Sequence, residues 1–218
     1  MNSMPSTSAH ARAPKQGRSR QSFERIIEAT IELLHERDYD QITLAEICQR
    51  SGVSTGSLYG RVDGKDELLR VVQVRHLERL AEQFTEEAAR IAAESHGLAE
   101  VVPAVVASLG NLLKANASVL RAFMLRGSTD AAIGAAGKKS AGENHAKFIA
   151  LLLDCRDEIR HPDPVRAIDS SMLLIYATQA RVLGLDSVGG RQESDGWNSL
   201  LEDLSDMMLA YLQFDPKR

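Results

Sequence analysis

Cysteine is scarce in this sequence: Cys48 and Cys155 are the only two in 218 residues. Both fall in helical apolar patterns and read as small buried hydrophobes in a reducing compartment. The six histidines form no H-x-x-x-H pair and no C-x-x-C occurs, so neither a metal site nor a cofactor has support. No apolar run approaches the roughly 18–20 residues that span a bilayer. The N-terminus also lacks the apolar stretch of a signal peptide. A cytoplasmic protein with no membrane partner is expected. Internal repeats and long low-complexity segments are missing as well. The length suits two modest domains, each able to bury a core.

Acids are missing from residues 1–20, which carry Arg12, Lys15, Arg18 and Arg20. This stretch reads as a disordered basic arm suited to phosphate or minor-groove contact. The whole chain is acidic nonetheless, at −4. Residues 1–65 hold nine Lys/Arg against eight Asp/Glu, so that part stands at +1 and the remaining −5 lies beyond it. Much of its acid (Glu24, Glu28, Glu32, Glu36) maps to the outer face of one helix. Local arrangement rather than net charge decides whether a surface binds phosphate. The modest balance favours a site-selective binder over a general DNA coater.

What is present is concentrated in Thr43–Lys65. Thr43 followed three residues on by Glu46 is a capping box, which opens a short helix. Gly52 supplies the freedom for a sharp helix-ending turn, and Val53 is an apolar plug beneath it. Ser54 then caps a second helix whose polar face is Ser54, Thr55, Gly56 and Ser57. Small residues there let the backbone approach DNA, and hydroxyls can reach phosphates or bases. Leu58 and Val62 are spaced to pack that helix back. Ahead of the pair, Phe23, Ile26, Ile27, Thr30, Ile31 and Leu34 follow a 3.6-residue period from a cap at Ser22. Three helices, two in a helix-turn-helix, follow from these residues.

Two enzyme-like motifs compete. Gly52-Val53-Ser54-Thr55-Gly56 fits the nucleophile elbow of a serine hydrolase, with Ser54 as nucleophile. That elbow needs a preceding β-strand, and the residues ahead read as helix. Gly134-Ala135-Ala136-Gly137-Lys138-Lys139-Ser140 misses the glycine spacing of a phosphate-binding loop and also lacks a strand before it. A non-enzyme is expected.

Residues 22–68 resemble the N-terminal domain of the TetR family of transcriptional repressors, most specifically through GVSTGSLYGRV and the following Lys65. The resemblance implies that Thr43 contacts a backbone phosphate. It puts Thr55, Gly56 and Ser57 at or near bases, and Tyr59 and Lys65 on phosphates. Arg18, Arg20, Ser54, Gly60 and Arg61 complete the expected DNA-binding set. The sequence departs from the family at Asp38, where a helix-ending glycine is usual and where aspartate tolerates the left-handed conformation. It departs again at Gly60-Arg61-Val62, which replaces a triplet of aromatic or histidine, histidine and phenylalanine. Arg61 adds a charge and Gly60 removes a contact side chain.

The chain beyond Lys65 reads as helical, so an all-α protein is expected: an arm at 1–20, a DNA-binding domain at 21–67 and a helical domain at 68–218. Helices are expected at 66–94, 98–115, 119–126, 131–160, 164–185 (capped by Asp163, apolar on nearly every side) and from Trp197, after a polar loop at 187–196. By the resemblance, the last two helices pair across a two-fold axis. Leu173, Ala177, Leu200, Leu204, Met207, Met208 and Tyr211 are the candidate homodimer residues. An effector pocket is also implied, for which Leu112, Phe123, Met124, Phe148, Leu152, Met172 and Tyr176 are candidates; these side chains favour an apolar or aromatic ligand. The expected function is a homodimeric repressor that binds a palindromic operator in double-stranded DNA and is released by a small molecule. The alternatives are an effector-free DNA-binding protein, a regulator controlled by a protein partner, or the Ser54 hydrolase.

Overall fold

The computed structural model describes residues 15–185 and 196–215, with side chains from Ser19 onward. Arg12 and the side chain of Arg18 lie outside it, as does the expected polar loop up to Asp195. All described secondary structure is helical, and the chain divides into two compact units, Met1–Leu68 and Leu69–Arg218.

The first unit contains α1 (Lys15–Glu36), a 3-10 turn (Tyr39–Gln41), α2 (Leu44–Ser51), α3 (Thr55–Tyr59) and the start of α4 (Lys65–Glu94), which runs on through the division. α1 begins at Lys15, so Ser22 lies inside the helix and is not its cap, and residues 15–20 are helical rather than part of a disordered arm. Ile26, Ile27, Leu33 and Leu34 bury its inner stripe, joined by Ile42, Ile47, Leu58 and Val62. Thr30 is fully buried but satisfied, because its hydroxyl donates to the Ile26 carbonyl at 2.7 Å. Asp38 corrects another expectation. Its backbone is extended (φ −67°, ψ 147°), and no left-handed residue ends α1. The chain leaves α1 through the 3-10 turn, where the Gln41 N–H donates to the Asp38 carbonyl.

The second unit holds the rest of α4 with α5 (Leu98–Ala115), α6 (Ala117–Gly127), α7 (Ala131–Asp154), α8 (Pro164–Val182) and α9 (Trp197–Leu212). α5 does have the length and apolarity of a membrane-crossing helix, contrary to the sequence reading. Here that apolarity is used internally, since Val102, Val105, Val106 and Leu109 are fully buried and α5 packs on α9, α8 and α7. Phe148 of α7 meets Phe84 of α4 with ring centres 5.2 Å apart at the middle of this core.

α7 ends at Asp154, short of the expected Arg160. A 3-10 turn at Arg156–Glu158 intervenes and lets the Glu158 carboxylate accept the Leu98 N–H at 3.0 Å, filling an orphan donor at the start of α5. α8 opens as its sequence dictates: Asp163 accepts the Arg166 N–H at 3.1 Å, and Pro164 takes the first helical position. It closes at Val182, three residues before the expected Leu185. Gly184 then turns left-handed (φ 62°) and the Leu185 N–H returns to the Ala180 carbonyl. The near-miss phosphate loop at 134–140 is an uninterrupted part of α7. Of the cysteines, Cys48 is buried and Cys155 is half-buried.

Two glycines of α7 have opposite roles. A Cβ on Gly134 would sit 2.9 Å from the Gly127 carbonyl oxygen, where α6 and α7 cross closely, whereas one on Gly142 would meet nothing within 4 Å. Gly134→Ala is therefore expected to cost about 1–3 kcal/mol by overpacking. Gly142→Ala should stabilise by about 0.5–1 kcal/mol through helix propensity. Urea midpoints at unchanged m-value check both signs.

Candidate nucleic-acid interface

The helix-turn-helix is built from local rules. Thr43 caps α2: its hydroxyl accepts the Glu46 N–H at 3.2 Å, while the Thr43 N–H and hydroxyl both donate to Glu46 Oε2 at 2.8 Å. Those bonds, the hydroxyl's first and the backbone's next, hold the Glu46 carboxyl below its ordinary range, and Arg37 at 2.9 Å adds to them. Gly52 ends α2 in the left-handed region (φ 64°, ψ 27°), and Val53 is buried beneath the turn. Ser54 caps α3 by accepting the Ser57 N–H at 3.3 Å. Its hydroxyl thus has a backbone role, and the residues before it are α2 and a turn. The strand that a nucleophile elbow requires is not there.

α3 has one inward side chain, Leu58, which is fully buried. Thr55, Gly56, Ser57, Tyr59 and Gly60 are exposed, Tyr59 at 53%. Among the described residues, and its chain neighbours and own helix backbone apart, no atom lies within 4 Å of a Cβ placed on Gly56, so packing does not demand glycine there. Arg50 bridges α2 to α1 through both Glu36 oxygens, at 2.7 and 3.0 Å, and through Glu32 at 3.5 Å.

The cationic side chains of Lys65 and Arg61 are also engaged with the chain itself. The Lys65 ammonium donates to the Tyr39 carbonyl and lies 4.1 Å from the centre of the Tyr39 ring, while the Tyr39 hydroxyl donates to the Lys65 carbonyl at 2.5 Å. The Arg61 guanidinium donates to the Ser19 carbonyl at 2.5 Å and to the Ser19 hydroxyl, and stacks over Phe23 at 5.0 Å. Sequence reasoning missed Tyr39, Ser19 and Phe23 as supports, because their partners are 26 to 42 residues away and no local pattern signals them. Arg20 is exposed at the start of α1.

The family model described as bacterial regulatory proteins, tetR family, matches residues 26–72. That span holds α2, α3 and the second half of α1. Residues 26–72 carry the N-terminal domain of the TetR family. Comparison with curated proteins gives no match. Among solved structures it is similar to a TetR transcription regulator from Haloarcula marismortui, with TM-score 0.65 and 19% identity over 88% of this chain and 97% of that one. It is also similar to GusR from Salmonella enterica (TM-score 0.58, 18% identity, 88% and 96% covered). FadR from Bacillus halodurans, a fatty acid degradation regulator, gives TM-score 0.58 and 15% identity over 86% and 94%. At these identities the likeness shows a shared TetR-type fold over most of the chain.

The other TetR-derived candidates fall into distinct environments within the second unit. Phe123, Phe148, Leu152 and Met172 are buried, Leu112 and Tyr176 are half-buried, and Met124 is 40% exposed. Tyr176 meets His145 edge to face at 5.1 Å, and burial pushes the phenol up and the imidazole down from their ordinary pKa values. Of the candidate dimer residues, Leu204 and Met208 are buried within the unit, Leu200 and Tyr211 are half-buried, and Leu173, Ala177 and Met207 are exposed.

The capping box gives a pH-dependent test. Because the folded Glu46 pKa is depressed, its stabilisation is full above the unfolded value and is lost as pH falls through the folded one. Thr43→Ala should lower stability by about 1 kcal/mol and raise the Glu46 pKa toward its ordinary range. Carboxylate titration by NMR checks this, and an unmoved Glu46 would mean that Arg37 rather than Thr43 holds it.

Proposed function

We propose that this chain is a homodimeric repressor that reads a palindromic operator with α3 and is released by a small apolar or aromatic molecule. Thr55, Gly56 and Ser57 meet bases in the major groove. Thr43, Ser54, Tyr59 and Lys65 hold phosphates, and Arg18 and Arg20 add charge beside them.

The observation that carries this reading is Gly56. It is an exposed helical glycine that packing within the chain does not require, and helix propensity opposes it. Close approach of an outside surface is the physical reason to keep it, and a base edge in the groove is such a surface. The exposed hydroxyls of Thr55 and Ser57 on either side supply donors and acceptors for sequence readout.

A palindrome calls for a two-fold symmetric reader. Support for dimerisation comes from α8 and α9, which pack on each other and leave Leu173, Leu174 and Met207 about two-thirds exposed. Such apolar exposure fits a self-complementary face better than open solvent. Effector binding would be lodged among Phe123, Phe148, Leu152, Met172 and Tyr176. It would favour a spacing of the two α3 helices that no longer matches successive major grooves.

In vitro selection from random duplexes tests the whole reading. The wild type should enrich a palindrome. Gly56→Ala should enrich little or nothing, yet should be more stable to urea by up to about 1 kcal/mol. Leu173→Glu combined with Met207→Glu should yield a 23.9 kDa monomer by light scattering and lose the palindrome. Selection of one asymmetric site by a wild-type monomer would overturn the dimeric reader.

A further inference from the structure

Arg61 is the residue of the α3 region that departs most in charge from the TetR pattern, and its position is not that of a free contact. Its guanidinium reaches 42 residues back to the Ser19 carbonyl and hydroxyl and covers the Phe23 ring. Ser19 and Phe23 are four residues apart in α1, so both lie on one helix face. Arg61 therefore grips α1 one turn in from its start, at Ser19 and Phe23.

The apolar core does not reach this part of α1. The buried stripe of α1 starts at Ile26, and from Ser19 to Arg25 every side chain is exposed or half-buried. A helical stretch this short does not persist alone in water. Residues 15–20, at the start of the helix, carry Lys15, Arg18 and Arg20 without an acid.

We propose that Arg61 is a positioning residue that holds the basic first turns of α1 beside the end of α3. Lys15, Arg18 and Arg20 are then carried on a held helix instead of a floating arm. The proposal rests on the DNA-binding reading above. Arg61 spends its donors on α1 rather than on a phosphate or base. Pre-ordering the arm removes an entropic cost that a floating arm would pay on binding DNA. Lysine cannot stand in, because the planar guanidinium both stacks on Phe23 and donates to two Ser19 oxygens.

The test uses the full chain and a duplex selected by the wild type, with affinity measured across salt concentrations. Three forms are compared: Arg61→Ala, Arg61→Lys, and an arm-neutralised chain bearing Lys15→Gln, Arg18→Gln and Arg20→Gln. All three should bind roughly tenfold more weakly, with the salt slope reduced by about 2–3. Adding Arg61→Ala to the neutralised arm should cost nothing more. Amide exchange at residues 15–22 should speed up in Arg61→Ala without DNA. Wild-type affinity and slope in Arg61→Lys would identify a direct phosphate contact and overturn the proposal. So would additive losses or unchanged amide exchange. If the wild type selects no duplex, the DNA reading falls and the arm's role falls with it. The exchange measurement would still decide whether Arg61 holds the helix.

Discussion

The place of α3 in the first unit depends on the burial of one side chain, Leu58. α3 is five residues long, far below the length at which a helix holds itself in water. It exists because Leu58 is fully buried, with Val53 and Val62 buried on either side of it in sequence. That single inward anchor frees Thr55, Gly56, Ser57 and Tyr59 from any packing duty. A longer recognition helix with two or three inward residues would leave fewer positions for readout.

Polar ties add orientation more than energy. The bridges from Arg50 to Glu36 and Glu32 and from Arg37 to Glu46 are largely solvent-exposed, and such pairs contribute at most about 1 kcal/mol each. Their value is geometric: α2 is held against α1 at two points, and α3 hangs from α2 through the Gly52 turn. Lys65 over Tyr39 and Arg61 over Phe23 extend the same scheme to both ends of the motif. A cation stacked on an aromatic ring is held more firmly than one on an open surface.

Features written in neighbouring residues could be read from the sequence. The Thr43–Glu46 box, the left-handed Gly52, the Ser54 cap and the Asp163-Pro164 start all appear where the residues put them. Features that depend on distant partners could not. Ser19 of α1 meets Arg61, Glu158 just past α7 meets Leu98, and the Lys65 ammonium meets Tyr39. α8 is a different case: its near-continuous apolar pattern does not by periodicity alone tell an internal core face from an outward one, and Leu173 and Leu174 are two-thirds exposed.

If α3 enters a major groove, site-directed DNA cleavage will map it there. An iron-chelate reagent would be tethered to the thiol of Thr55→Cys, in a chain also carrying Cys155→Ser, and mixed with the selected duplex. The account predicts two cleavage centres in the major groove, one in each half-site. Uniform cleavage along the duplex, or none above the free reagent, would contradict it.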